Sequence, residues 1–118
     1  MEILATNIAN IKESKQLLYK MTVSAGQNVQ KMTDEQRAKA YPVDVYVLYQ
    51  DVNEKGEEYQ ILSILSGKEK LSTISQTFIK SFMKIVDLMD GDPFGIIVTG
   101  GESKNGRKFV DCELDCDI

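Results

Sequence analysis

Few residues in this chain are equipped for chemistry. Histidine is absent, which removes the commonest general base and rules out a Cys/His zinc site; acid–base work would fall to carboxylates, Lys or Tyr. The only thiols are Cys112 and Cys116, and a two-thiolate metal site would need other ligands. They read as one thiol packed in a strand and one in a tail. Gly100-Gly101 and Gly106 do not have the spacing of a phosphate loop, and no nucleophile–base pair stands out. The chain is therefore expected to be no enzyme and to use neither metal nor cofactor. What remains is binding chemistry. Arg107 and Phe109 occupy alternate positions near the C-terminus, with Lys104 and Lys108 beside them. A ring and a guanidinium on one strand face make non-covalent contacts.

These residues have to be positioned by a hairpin. Phe94 to Thr99 reads as a short apolar strand, Gly100-Gly101 as a flexible entry, and Ser103-Lys104-Asn105-Gly106 as the turn, on the strength of its Asn-Gly pair. In the returning strand Val110, Cys112 and Leu114 share one face, while Arg107, Phe109, Asp111 and Glu113 share the other. With the aliphatic face inward, Phe109 stands outside beside Arg107.

An amphipathic helix over Ser75–Met89 precedes the hairpin. Phe78, Ile79, Phe82, Met83, Ile85, Val86 and Met89 follow i, i+3, i+4 spacing, and Lys80, Lys84 and Asp87 face water. Ser75 is the expected cap, with Ile74 stapling onto Ile79 and Thr73/Gln76 as a competing capping box. Gly91 is the expected left-handed stop, reinforced by Pro93.

Upstream, Val43 to Gln50 is the clearest strand, with Val43, Val45 and Val47 on one face and Asp44, Tyr46 and Leu48 on the other. Asn53-Glu54-Lys55-Gly56 turns the chain into a return strand over Tyr59–Leu65, closed by Gly67-Lys68-Glu69-Lys70. Both faces of that return strand carry apolar groups. Lys15 to Val23 alternates in a way that suits a strand, with Leu17, Met21 and Val23 inward. Ser24-Ala25-Gly26-Gln27 has a capping-box pattern that would open either a short helix to Met32 or a loop. Thr33 to Ala40 adds a helical turn capped by Thr33 with Gln36, ended by Pro42. Residues 1–14 read as an N-terminal arm, either a short helical stripe of Ile3, Leu4, Ile8 and Ile11 or a segment packed on the body.

At 118 residues, 42% hydrophobic and 27% charged, the chain is expected to be one globular domain over 1–118. No apolar run reaches the length of a membrane span, and the N-terminus has no basic segment leading into an apolar one; no membrane contact and a cytoplasmic location are expected. The net charge of −4 argues against a nucleic-acid partner, but its distribution softens that. Residues 34–58 carry seven acids against three bases, whereas 66–84 hold Lys68, Lys70, Lys80 and Lys84 against Glu69 alone.

Three strands, a helix and two strands are the order of an OB-fold, a mainly β, five-stranded Greek-key barrel with its helix between strands three and four. Here the three would be the runs at 15–23, 43–50 and 59–65, with the N-terminal arm as an extension. A looser α+β sheet with the helix on one face fits the same order.

Over residues 71–114 the chain resembles the small single-stranded DNA-binding proteins of phages infecting Gram-positive bacteria, including the protein-primed Bacillus phages. Ile74-Ser75-Gln76-Thr77 and Ile85-Val86-Asp87-Leu88 are similar to the ends of their central helix. Val98 to Phe109, with its Ser-Lys-Asn-Gly turn before an aromatic strand, is similar to their last hairpin. The likeness is loose over 43–66 and does not extend before Val43. The resemblance implies an OB-type barrel that coats single strands in DNA replication or recombination, without sequence preference and without catalysis, in the host cytoplasm.

Such binding needs cations for phosphates and exposed rings for bases, each stack contributing about 1–3 kcal/mol. The residues placed to supply them are Phe109, Arg107, Lys108 and Lys104 on the last hairpin, Tyr46 and Tyr59 on the paired strands, and Lys68 and Lys70 at the border. Against this, Asp51, Glu54, Glu57 and Glu58 make the first hairpin acidic: it points away from the DNA, or binding is weak or needs a homo-oligomer. The acidic end 111–118, with Asp111, Glu113, Asp115, Asp117 and a terminal Ile118, is similar in kind to the tails by which bacterial single-strand binders recruit replication or recombination proteins. The competing function is a protein-interaction module that uses the same barrel to bind a host or phage protein.

Overall fold

The computed structural model describes residues 1–24 and 26–117. The molecule is mainly β, in two sheets. β1 (Glu2–Thr6) leads to α1 (Lys15–Thr22), β2 (Gln27–Asn28), a 3-10 turn (Val29–Lys31), α2 (Asp34–Arg37) and β3 (Ala40–Pro42). Then come β4 (Val45–Val52), β5 (Glu58–Ser66), β6 (Glu69–Thr73), α3 (Gln76–Met89), β7 (Gly95–Glu102) and β8 (Lys108–Leu114). The larger sheet has the order β1-β4-β5-β6-β2, antiparallel except for β6 with β2; the smaller one is the antiparallel β3-β7-β8.

One length of chain belongs to both sheets. β3 pairs with β7 and β4 with β5, and only Val43-Asp44 separates them. Val43 donates its N–H to the Phe94 carbonyl on the small-sheet side, and Asp44 donates to Leu65 on the large-sheet side, both at 2.9 Å. The chain changes partners in a single residue step.

The space between the sheets is filled from α3. Ser75 caps this helix by accepting from the Phe78 N–H, and Phe78 and Phe82 are fully buried. They meet Leu48, Leu62, Ile64 and Leu71 from one sheet and Ile96, Val98, Val110 and Cys112 from the other. The helix stops at Asp90, in the left-handed region with φ 46°, one residue before the expected Gly91, which also has positive φ. Ile74 is exposed and so does not act as the expected staple. The 3-10 turn touches both β6 and β8, with Val29 wholly buried in the same core.

The order three strands–helix–two strands holds over 45–114, but its first strand is not the one expected. Residues 15–22 form a helix. Leu17, Leu18 and Met21 make a helical stripe, and α1 lays it on the outer face of the larger sheet against Val47, Tyr49, Ile61 and Leu65. The period-2 reading fails because Leu18 also has to be inward. The third strand is instead Glu69–Thr73, joined to β5 by the two-residue turn Gly67-Lys68. The N-terminal arm is packed on the body as a strand, β1, beside β4. Of the capping-box pattern at 24–27, Ala25 lies outside the described residues; Gln27–Asn28 is strand, and only the 3-10 turn is helical before Met32. No helix among the described residues is long and apolar enough to cross a membrane.

Candidate functional site

The last hairpin is built as its sequence asks. Gly106 takes φ 75° and donates its N–H to the Ser103 carbonyl at 2.9 Å, while Ser103 donates to Arg107 at 2.8 Å. The turn is thus closed by a left-handed glycine. Val110 and Cys112 point into the core with Leu114 partly buried behind them, so Phe109 falls on the outer face, 43% exposed. Its ring lies over Gly101, the residue it pairs with in β7. Lys104, Arg107 and Lys108 are exposed around it.

A groove of about 640 Å³ runs between this hairpin and the segment 30–37. Gly100 and Gly101 line one side, with Lys108 and Phe109 on the neighbouring strand, and Arg37 stands opposite. A Cβ on Gly100 would lie 3.0 Å from Arg37 Nη1 and only 2.6 Å from the Phe109 carbonyl oxygen, so the close approach of Arg37 to this strand depends on glycine at position 100.

The opposite wall is tied down. α2 opens with a complete capping box: Thr33 Oγ1 accepts from the Gln36 N–H at 3.2 Å, and the Gln36 side chain accepts from the Thr33 N–H at 2.9 Å. Gln27 and Gln36 exchange side-chain bonds at 2.9 and 3.0 Å, and the buried Tyr41 donates its hydroxyl to the Gln36 carbonyl at 2.8 Å. Arg37, one position on, is held in place but poorly satisfied. Its Nε is buried with no hydrogen-bond partner, and Nη2 reaches the Gln30 carbonyl only at 3.5 Å. Asp34 also lines the groove yet forms no ion pair with it; Lys39–Glu69, at 3.8 Å, is the only ion pair among the described residues.

The expected site residues are split by the fold. Phe109, Arg107, Lys108 and Lys104 share one hairpin. Tyr46 leaves the set: it is 8% exposed, with its ring edge-to-face against Phe82 at 5.4 Å between centroids. The outer-face reading fails because β4 is covered on both sides, by α1 over its valines and by the core over Tyr46 and Leu48. Burial, and then Asp87, push the Tyr46 hydroxyl pKa upward. Tyr59 is 40% exposed, but it shares the face of β5 that carries Ile61 and Leu65, the side where α1 sits. Lys70 is engaged elsewhere, donating from Nζ to the Lys20 carbonyl at the end of α1, 2.7 Å away. Lys68 is exposed in the β5–β6 turn. Of the acidic end, Asp111–Leu114 is strand, Asp115 still donates to Gly95 at 2.9 Å, and Ile118 lies outside the described residues.

Arg37 and the glycine wall are what sequence reasoning passes over. The capping box that fixes α2 is visible, but nothing local says that α2 faces a hairpin more than sixty residues further along the chain. Cys112 offers no nucleophile, because burial, then Asp111 and Glu113, push its thiol up to about 12. Comparison with protein-family models, curated proteins and solved structures finds no significant match for this chain.

Proposed function

We propose that this chain binds and protects single-stranded DNA, largely irrespective of sequence, with an OB-type barrel formed by β4, β5, β6, β7 and β8 around α3. The observation that carries the reading is the exposed Phe109 ring over Gly101, on a hairpin bearing Lys104, Arg107 and Lys108. An aromatic platform beside a strip of cations is what a flexible polyanion with flat bases requires, and each stacked base contributes about 1–3 kcal/mol. The acidic turn Asn53–Glu57 belongs to the other hairpin, β4–β5, and on the last hairpin Lys104, Arg107 and Lys108 outnumber Glu102, which pairs with Lys108. The likeness of residues 71–114 to phage single-strand binders supports a place in replication or recombination of a phage or mobile element.

The test is a low-salt anisotropy titration with a labelled dT oligonucleotide long enough to span the hairpin. Binding that weakens as salt rises is expected. No binding would defeat the reading. A protein partner retained after nuclease treatment would then favour the interaction module.

A further inference from the structure

We propose that the groove between α2 and the β7–β8 hairpin is a pocket for one base of the bound strand, and that it favours guanine. The inference rests on the reading of the chain as a single-strand DNA binder.

The charges lining the groove balance: Arg37 and Lys108 are set against Asp34 and Glu102. A phosphate entering it gains no net attraction, whereas the hairpin tip, with Lys104 and Arg107, offers an anion free cations. The groove therefore suits a neutral group carrying both donors and acceptors. Its volume of about 640 Å³ is on the scale of small-ligand sites. On the face where Arg37 stands, Gly100 leaves the backbone open to a flat ring, while the Phe109 ring lies over Gly101 on the other face of the hairpin.

Two polar side chains then choose the base. Asp34 and Arg37 are three residues apart in α2, on one helix face, yet they do not pair with each other. The Arg37 fork has a buried Nε–H without an acceptor. Guanine presents O6 and N7 as adjacent acceptors, the arrangement a guanidinium meets with two bonds. Its N1–H and exocyclic amine are donors that a carboxylate accepts together, the role open to Asp34. Adenine lacks O6, and thymine has neither the paired acceptors nor the amine.

The experiment uses the whole chain and short labelled dT strands with one central position changed to dG, dA, deoxyinosine or 7-deaza-dG. The dG strand is expected to bind about tenfold more tightly than dT alone. Deoxyinosine, without the amine, and 7-deaza-dG, without N7, should each lose part of that gain. Arg37→Met should bring the ratio of dG-strand to dT-strand affinity to about one, and Asp34→Asn should reduce it, with melting curves confirming that both variants fold. Equal affinity for dG and dT strands, or a preference that survives both substitutions, overturns the pocket and leaves the proposed function standing. Failure of every strand to bind overturns both.

Discussion

The Phe109 ring lies across Gly101, its Cζ 3.3 Å from where a Cβ on that glycine would stand. The glycine gives the ring a flat seat on its neighbouring strand while its outer side stays open. Phe109→Ala should weaken single-strand binding by about 1–3 kcal/mol. Its melting temperature should stay close to that of the parent, because the ring is already 43% exposed. A large drop in melting temperature would show that the ring stabilises the fold instead.

Gly100 behaves differently from its neighbour. A Cβ there meets the Phe109 carbonyl oxygen at 2.6 Å, and a backbone atom cannot swing aside as a ring can. Gly100→Ala should therefore destabilise by about 1–3 kcal/mol, as overpacking does. Chemical denaturation of the purified variant measures this, and an unchanged midpoint would contradict the close approach.

Tyr46 is a stability residue. Tyr46→Ala removes the ring packed on Phe82 and should cost about 3–5 kcal/mol, the range for large-to-small changes at buried aromatics. Tyr46→Phe keeps that contact and should be far milder. Neither should change the affinity of the folded protein for DNA, which anisotropy below the melting transition would check.

Salt dependence separates the cations. Replacing Lys104, Arg107 and Lys108 by Ala should lower the slope of log affinity against log salt by about 0.7 for each phosphate they neutralise. Lys70→Met should leave the slope unchanged, since its ammonium is already bonded to the Lys20 carbonyl. A fall in slope for Lys70→Met would place the DNA across α1.

Alkaline pH should loosen the core through Cys112. Its folded pKa, about 12, lies above the ordinary 9, so the unfolded chain loses this proton first. Stability from this group is complete below about pH 9 and falls as pH rises towards 12. Tyr41, Tyr46 and Tyr49, all raised mainly by burial, add to the fall from about pH 10 upward. Cys112→Ala should flatten the earlier part of a melting-temperature profile taken from about pH 8 to about pH 10. Thiol labelling at neutral pH should modify the exposed Cys116 quickly and Cys112 only on unfolding.

The parts of this fold legible from sequence are those where one face is wet. α3 has a polar side and a capped start, so its stripe and first turn are readable. β8 has one buried face, so the placement of Phe109 follows from alternation. β4 lies between two layers, and alternation there says nothing about solvent, which is why Tyr46 reads as an outer residue when it is a core one. In α1 Tyr19 alternates with Leu17 and Met21 as a strand residue would, and the helix shows in the structure because Tyr19 points out while Leu18 packs inward. The groove is hidden for another reason: its walls are local motifs, but their meeting depends on contacts far apart in sequence.

The shared segment Ala40–Val52 sets an order in time. Its second half pairs with β1, already made, and with β5, the next strand along, whereas its first half must wait for β7, beyond β5, β6 and the whole of α3. On a chain emerging from the ribosome, the larger sheet can assemble while the β7–β8 hairpin is still unsynthesised, so the hairpin proposed to meet DNA is finished last. Pulse-labelled hydrogen exchange during refolding should accordingly protect Leu62 and Ile64 before Tyr41 and Ile96. Until β7 arrives, residues 40–42 are an open strand edge beside unfilled core, and that interval is when the nascent protein is most exposed to pairing with another chain.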